Sequence, residues 1–438
     1  MKKTYLFAIV LLSSWSFADS GNIPAGATLT TGATSNGHSL FSATVNPAVA
    51  AYTVAPDEKW RINYLPTIAL SGEVGDVNDF ADDLDELIDL LDDPSLADGS
   101  MEETRDRFNR VLTAMGESGY TKISVGVHLP LLPLYWRPSE FSGTYFVEAA
   151  VDTQIRLSLL DEPLEYDDQH TSFSTGSAAY LKSGIEKRFA IGYARPMLDE
   201  KQVARWGGQL YAGTKVKLLN MELSKQVIAL QQLGGKDVED LIEDEYDNNL
   251  KSTTNVSVDV GISWLSKYYR AGLLLSNINS PSFDYGSIGT NCQQFGEGSF
   301  ARNNCEAAAY FAYEKGRINA NEKHTKHAAA TLDGSVFPTA NWAINASIDL
   351  APYDDIVGDE TQRFNISTSL NTTSTWLPDI RLGYQKNLAG SKLSAAGFGI
   401  SLFDVFTLDA QVALDDVVID GDKAPRSFAL TIAFEEKF

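Results

Sequence analysis

The stretch NVSVDVGISW, residues 255–264, decides the fold. Valine, isoleucine or tryptophan stands at each even position, and asparagine, serine, aspartate or glycine stands at each odd position. The stretch NWAINASIDL, residues 341–350, repeats the same alternation. Because successive side chains of a strand point to opposite sides, a period of two predicts a β-strand with one apolar face and one polar or small-residue face.

Further copies of this alternation occur at 145–159, 406–414 and 428–438. The repeating unit is about ten residues, which is the length of a tilted strand that crosses a bilayer. We expect fourteen strands, near 60–72, 119–130, 141–160, 172–195, 205–221, 252–264, 268–276, 325–336, 341–350, 361–372, 378–387, 394–402, 405–415 and 425–438. Strand boundaries read from sequence shift by a few residues, so twelve or sixteen strands stay open.

The alternation fits both a soluble β-sandwich and an all-β transmembrane antiparallel barrel, and the connections distinguish them. After odd-numbered strands come the long or polar connections, such as 73–118, 222–251 and 277–324. After even-numbered strands come short ones, such as 265–267 and 337–340. A barrel that alternates long outer loops with short inner turns has this parity, and a sandwich has no need of it. We therefore predict a transmembrane barrel.

Aromatic residues collect at the strand ends on the short-turn side. Amphipathic rings prefer the headgroup region, so a girdle at one rim is typical of a membrane barrel. The set comprises Trp60, Tyr135, Trp136, Phe141, Trp206, Trp264, Tyr268, Tyr269, Phe337, Trp342, Trp376, Phe403, Phe406 and Phe438.

Both ends of the chain fit an exported barrel. Residues 1–18 place two lysines before an apolar stretch and end in small residues, which predicts a cleaved signal peptide; a buried N-terminal helix is the alternative. The last stretch, FALTIAFEEKF, ends on Phe438 and resembles the signal read by the barrel-assembly machinery, although Glu436 stands where a hydrophobic residue is usual. An ordinary terminal strand is the alternative there. We expect an outer-membrane location in a Gram-negative-type envelope, with membrane lipid and the assembly machinery as partners.

The two cysteines and the charge exclude several classes of function. Cys292 and Cys305 lie in one irregular segment, which predicts a loop-closing disulfide in an oxidising compartment, with a metal pair as the alternative. The net charge of −23 disfavours nucleic-acid binding. Much of it lies in 73–117 and 237–247, which we interpret as solvated loop faces in preference to a cation site.

Apolar residues at helical spacing occur in two of the long connections. The first group lies at 84–91 and the second, Leu223, Val227, Ile228 and Leu230, lies after the fifth strand. Both predict short amphipathic helices on the outer loops, where they cap the barrel mouth or contact a partner.

Charged residues fall on the polar, interior faces of the predicted strands. Charges of both signs in a lumen usually pair across it, which we favour over a charged permeation path. The interior set comprises Glu148, Asp152, Arg156, Arg188, Lys215, Lys217, Asp259, Arg363, Arg381 and Asp409. The five histidines are scattered and no catalytic motif is present, so we predict neither an enzyme nor a cofactor or metal site. An outer-membrane phospholipase or protease is the alternative.

Residues 19–59 precede the first strand, and the lumen is the compact place for them. Their sequence Asn46-Pro47-Ala48, in a segment of small residues ahead of a fourteen-stranded barrel, resembles the hatch of FadL-type outer-membrane transporters. The mature chain more closely resembles the TraF-like plasmid or conjugal transfer proteins, in its Asn-Pro-Ala segment, acidic first loop, EKRFAIGYARPM strand and C-terminal strand. This resemblance implies a hatch at 19–59 and an outer-membrane barrel at 60–438.

Two functions follow from the resemblance. The first is a plugged channel that admits small hydrophobic or amphipathic molecules. The second is a structural or interaction component of a conjugation-related or envelope assembly, through which nothing permeates.

Overall fold

The computed structural model describes residues 39–55, 57–97, 100–138, 143–170, 172–232, 249–372, 376–403, 405–434 and 436–437. Fourteen antiparallel strands form one closed barrel, as the alternation predicts. The signal-peptide segment 1–18, hatch residues 19–38, Phe141 and Phe438 lie outside the described residues.

The barrel strands are numbered β1 to β14 in chain order. Three of them are written as two segments because their pairing continues across a short irregularity. Their bounds are β1 Trp60–Ile62 and Thr67–Val74, β2 Tyr120–His128 and Leu134–Trp136, β3 Thr144–Leu160, β4 Ala178–Pro196, β5 Gly208–Ala229, β6 Lys251–Ser266, β7 Tyr269–Ser276, β8 Ala329–Thr339, β9 Trp342–Asp349, β10 Arg363–Leu370, β11 Asp379–Asn387, β12 Ser394–Leu402, β13 Phe406–Ala413, and β14 Ser427–Phe434 and Glu436–Lys437.

Each strand pairs with the next one along the chain, and the last pairs with the first. The closing seam joins β14 to β1, with Leu430 opposite Leu70 and Ile432 opposite Ile68. Closure leaves no free edge, so each barrel strand has a hydrogen-bonded neighbour on both sides. Long and short connections alternate as expected, except that the outer connection 388–393 is a tight turn.

The faces of the strands are inverted relative to a soluble protein. On β6 the apolar side chains Val256 and Ile262 are 47% and 43% exposed, while Ser257 and Asp259 are fully buried. A sheet with an exposed apolar face and a buried polar face matches a hydrocarbon solvent outside and a polar interior. This inversion rules out the soluble-sandwich alternative.

Aromatic side chains contact one another across strands at the short-turn rim. Trp60 stacks on Trp136 with 5.4 Å between ring centroids, and Tyr145 lies 5.8 Å from Trp136 and 4.8 Å from Tyr193. Together these rings cover the ends of four consecutive strands. Tyr135 departs from the expected girdle because it points inward and is fully buried.

Helices are short and lie mainly in the connections. Their bounds are α1 Leu40–Val45, α2 Ala50–Thr53, α3 Phe80–Asp92, α4 Met101–Ser118, α5 Glu200–Trp206 and α6 Phe300–Ala309, with 3-10 turns at Pro47–Val49, Pro94–Leu96, Leu230–Gln232 and Cys292–Gln294 and a π-turn at Tyr310–Glu314. None of the described helices combines the length and apolar character needed to span a bilayer.

The first outer connection forms helices where the sequence predicts one. Helix α4 begins with a capping box, in which Ser100 and Glu103 bond each other's backbone. Buried residues of α3 and α4, including Leu87 and Phe108, pack against Phe173 of an outer hairpin. That hairpin pairs Leu164–Asp167 with Ser172–Thr175.

The helix expected around Leu223 to Leu230 is wrong. Strand β5 continues to Ala229 and pairs with β4 as far as Ala178. The apolar residues there pack inside the mouth of the barrel against loop residues, so burial on both sides of the strand produces a spacing that resembles a helix. At 22 residues, β5 is about 70 Å long and extends well beyond the apolar layer.

The predicted disulfide is confirmed. Cys292 and Cys305 are bonded, with 5.4 Å between their Cα atoms, within the connection between β7 and β8. A metal pair at these two cysteines is therefore wrong. The bond joins the start of the 3-10 turn Cys292–Gln294 to α6.

The inverted faces predict how an arginine is tolerated. We expect Val260→Arg, on the outward face of β6, to destabilise the folded barrel by about 2–4 kcal/mol because it places a charge in hydrocarbon. The measurement is denaturant-dependent refolding into lipid vesicles. Ser252→Arg, on the same face but eight residues nearer the outer loops, is the control and should cost little. Equal effects of the two variants would contradict the assignment of a lipid-facing band.

Candidate functional site

The segment Ser39 to Ala55, here called the hatch segment, lies against the inner face of the wall. It consists of α1, the 3-10 turn Pro47–Val49 and α2. Every residue from Ser39 to Val54 except Tyr52 is buried. Leu40, Val49 and Ala50 pack on Tyr135 and Phe146 of the wall. Small side chains fill a narrow space here, which explains the Ala, Ser and Thr content of this stretch.

The Asn46-Pro47-Ala48 turn sits on a pair of glycines in the wall. The Asn46 Oδ1 atom accepts a 3.1 Å hydrogen bond from the Ala48 amide, and its Nδ2 atom donates to the Ile262 carbonyl at 3.2 Å. Gly213 of β5 lies directly opposite Gly261 of β6. A Cβ at Gly261 would lie 1.9 Å from Asn46 Oδ1, and one at Gly213 would lie 2.5 Å from the Pro47 carbonyl carbon. Only glycine lets the turn approach the wall this closely.

These two glycines were not singled out in the sequence. The available signal was Gly261 itself, which interrupts a run of serine and aspartate on the polar face of NVSVDVGISW. A glycine within a strand often marks a close backbone approach. The identity of the approaching segment depends on contacts more than 160 residues apart in the chain.

Side chains of the wall donate hydrogen bonds to backbone carbonyls of the hatch segment. A segment without regular pairing must satisfy its carbonyls in this way when it is buried. The bonds are Tyr135 Oη to Leu40 at 2.6 Å, Arg61 Nη1 to Thr53 at 3.1 Å, Arg137 Nη1 to Val54 at 3.2 Å, and Lys215 Nζ to Thr44.

A network of buried charges lies beneath the hatch segment. The Lys215 ammonium lies 3.0 Å from Glu148 Oε1 and 3.7 Å from Asp259 Oδ2. Lys217 lies 2.8 Å from Asp259 Oδ1 and donates to Asn277 Oδ1 at the same distance. All four charged groups are buried, so each depends on the others to offset the loss of hydration.

The other predicted interior charges are also placed on the inner face. Arg188 contacts Asp152 at 3.1 Å and Glu186 at 3.0 Å. On the opposite wall, Arg381 contacts Asp409 at 3.2 Å. Arg156 and Arg363 line a cavity nearer the outer mouth.

A hairpin from the connection between β9 and β10 folds into the outer half of the barrel. We call residues 353–361 the strap; in it Tyr353–Asp354 pairs with Glu360–Thr361. Ile356 is buried against Leu219, Met221, Leu223, Phe283 and Tyr285. Its amide donates to Gln154 Oε1 at 3.1 Å, and its carbonyl accepts from the Tyr285 hydroxyl at 2.7 Å.

Ion pairs fix the strap to β2 and β3. Lys122 Nζ lies 3.1 Å from Asp355 Oδ2 and 3.0 Å from Asp359 Oδ2, and Arg156 Nε lies 3.0 Å from Asp359 Oδ1. Burial raises the pKa of Asp355 above its usual value, although Lys122 acts in the opposite direction. The strap was not singled out in the sequence, where it forms part of an ordinary polar connection.

Beside the strap is a cavity of about 450 Å³. The hatch segment does not contribute to its lining, which comes from the strap, from β1 to β3, from β10 to β14 and from the connections next to them, including the end of α4. Six carboxylates and four cations face it: Glu73, Asp76, Glu117, Asp355, Asp359 and Glu360, with Lys122, Arg156, Arg363 and Arg426. A chamber with this lining favours solutes that carry a polar or charged group.

A second hairpin in the mouth predicts a dependence on pH. His324, in Lys323–Thr325, is buried, and its Nε2 atom has no hydrogen-bond partner among the described residues. Burial, with Lys326 nearby, lowers its pKa to about 3. In the opened hairpin the pKa of His324 is near the usual 6.5, so between about pH 6.5 and pH 3 the opened form binds a proton that the closed form does not bind. Stability of the closed hairpin is therefore full above about pH 6.5 and falls as the pH decreases towards 3.

We expect this hairpin to lose up to about 1.4 kcal/mol of local stability per pH unit between pH 6.5 and pH 4. Hydrogen exchange of the amides in 282–284 and 323–325, corrected for the intrinsic pH effect, measures the change. His324→Gln should abolish the slope, whereas His327→Gln, at an exposed position nearby, should keep it. A slope that survives in His324→Gln would show that another group titrates.

Comparison with known proteins gives one family match. The family described as "F plasmid transfer operon, TraF, protein" matches residues 43–349, more than half of the 438-residue chain. A search of curated proteins gives no match.

Among solved structures, the chain is similar to the Pseudomonas putida toluene transporter TodX, with 9% identity and a TM-score of 0.44 over 97% of this chain and 100% of that one. It is also similar to a Pseudomonas aeruginosa FadL homologue, with 9% identity and a TM-score of 0.41 over 95% and 99%. For the Ralstonia pickettii toluene transporter TbuX the values are 8%, 0.40, 95% and 99%.

Proposed function

The chain belongs to the TraF family of the F plasmid transfer operon, and from this premise we propose that it is an outer-membrane channel protein plugged by its hatch segment. In this proposal residues 1–18 direct export and are cleaved, and the barrel-assembly machinery inserts the barrel. The hatch segment blocks the inner half of the lumen until it shifts and lets a small solute pass. The observation that carries the proposal is the seating of Asn46-Pro47-Ala48 on the Gly213–Gly261 pair.

The contacts of the hatch segment support a movable plug. Most of its polar contacts are single hydrogen bonds from side chains of the wall to its carbonyls. Water can replace such donors at modest net cost. When the hatch segment leaves, Lys215 keeps Glu148 and Asp259 as partners, so no buried charge is stranded. A segment bound in this way can move without disrupting the electrostatics of the barrel.

The solute we propose is small and amphipathic. The cavity near the strap is lined mainly by polar and charged groups, yet Leu393 and Ala395 also line it. A lining of this kind accommodates a molecule with an apolar part and a polar head better than a wholly apolar one. Its volume of about 450 Å³ is in the range of small-molecule sites.

Adding one methyl group at a wall glycine tests whether the hatch segment blocks the lumen. Gly261→Ala places a Cβ on Asn46 Oδ1 and should displace the turn, so we expect solute entry into reconstituted liposomes to be several-fold faster than for the unmodified protein. Gly213→Ala should act in the same direction. Gly334→Ala is the control, because its nearest contact would be the Arg270 carbonyl oxygen at an ordinary 3.4 Å.

Swelling of liposomes in sugar and amino-acid solutions measures the rates, and heat-modifiable migration on a gel confirms that each variant is folded. If the glycine variants are folded and as impermeable as the control, and removal of residues 39–55 also leaves the barrel closed, the channel proposal fails. The protein would then be a non-transporting component of an envelope or conjugation-related assembly.

A further inference from the structure

We infer that Lys122 and Arg156 form a binding site for the acid group of a small anionic solute, and that the strap occupies this site with its own carboxylates until such a solute displaces it. The inference rests on the proposed channel function and specifies which solutes open its outer half.

The wall brings two cations together at this site. Lys122 of β2 and Arg156 of β3 are direct cross-strand partners. Like charges directly opposite each other on neighbouring strands repel and destabilise the pairing. The Asp359 carboxylate removes this repulsion by bridging them, with its Oδ2 atom 3.0 Å from Lys122 Nζ and its Oδ1 atom 3.0 Å from Arg156 Nε. The wall therefore requires an anion here whether or not the strap supplies it.

The surroundings of the pair favour a planar acid group. The Arg156 guanidinium lies 4.8 Å from the centroid of the Tyr120 ring, which orients it towards the lumen. Both cationic side chains are largely shielded, with 13% exposure for Lys122 and 22% for Arg156. A carboxylate that bridges both cations reproduces the geometry that Asp359 already shows. The carboxylate of the strap is thus a stand-in for that of the solute.

The strap also sets the charge of the adjoining cavity. With the strap in place, six carboxylates face four cations, and the strap itself contributes Asp355, Asp359 and Glu360. Without these three, three carboxylates face the same four cations. Charged linings select ions by sign at such short range, so release of the strap turns an anion-repelling chamber into an anion-accepting one.

The strap can leave as a unit. Its two short strands pair only with each other among the described residues, so its departure breaks no ladder bond of the barrel. Ile356 in its apolar pocket and the two hydrogen bonds of its backbone are the remaining attachments described above. Of the ion pairs, Arg156–Asp359 is partly exposed, at 22% and 27%, and so is within reach of a competing anion.

The experiment is single-channel recording in planar bilayers, with butyrate as the probe and butyramide as its uncharged control. Every protein recorded carries Gly261→Ala, which displaces the hatch segment, so that opening of the strap is visible as current. We expect butyrate to increase the open fraction of Gly261→Ala in a saturable manner, by about fivefold, the change expected for loss of a partly exposed ion pair. Butyramide should have no effect. The double variant D355N/D359N should be open without butyrate and should shift its reversal potential in a KCl gradient towards chloride.

A second double variant separates release of the strap from binding of the anion. K122M/R156M also frees the strap, so its open fraction should be raised, but it should neither respond to butyrate nor favour chloride. Asp284→Asn, which breaks the exposed pair with Lys323 in another outer hairpin, is the control and should behave as Gly261→Ala alone. If a double variant lacks heat-modifiable migration and is therefore not folded, the single variant Asp359→Asn replaces it, because Asp359 lies outside the barrel strands.

Equal responses to butyrate and butyramide, or a butyrate response that persists in K122M/R156M, would overturn the inference. If Gly261→Ala alone conducts while the strap variants fail these expectations, only the assignment of the anion site is wrong. If no variant conducts, the channel function itself is wrong.

Discussion

Hydrogen bonding of the backbone in a solvent that offers no partners is the constraint on which this structure depends. In hydrocarbon an unpaired amide or carbonyl costs several kcal/mol, so a sheet is stable there only when its last strand pairs with its first. The pairing of β14 with β1 closes the barrel, and every other feature follows from the enclosed space that closure creates. The apolar face must turn outward, which leaves the polar residues of each strand inside, where little water reaches them.

The interior charges are best understood as a response to that enclosure. Lys215, Glu148, Asp259 and Lys217 form one network, and Arg381 and Asp409 form another on the far wall. Ion pairs of this kind contribute little net stability once their desolvation is counted, but removing one partner strands the other. They therefore fix the shape of the lumen more than they strengthen the fold. The hatch segment uses the donors that remain on this wall.

The features that could be predicted are those set by neighbouring residues in the chain. The fourteen strands, their order and the disulfide could be read from the sequence because alternation, connection length and cysteine spacing are properties of neighbouring residues. The stretch from Leu223 to Leu230 was misassigned since a strand buried on both sides loses its alternation. Two contacts could not be predicted: that of the Asn46-Pro47-Ala48 turn with Gly213 and Gly261, and that of the strap with Gln154. Each joins segments more than a hundred residues apart. The sequence predicts which charged residues face the interior. It does not predict which of them form ion pairs, because that depends on the register of neighbouring strands.

Two different chemistries hold the two segments that fold inside the barrel. Towards the short turns, near Phe146 of β3, the hatch segment packs closely on a glycine pair through small side chains, and single side-chain donors of the wall bond to its carbonyls. Towards the long loops, near Arg156 of the same strand, the strap is held largely by charge. Close packing is insensitive to salt and to the charge of a solute, while a partly exposed ion pair such as Arg156–Asp359 responds to both. The two segments therefore depend on separate interactions. The ion pairs of the strap can be broken while the packing of the hatch segment on the wall stays intact.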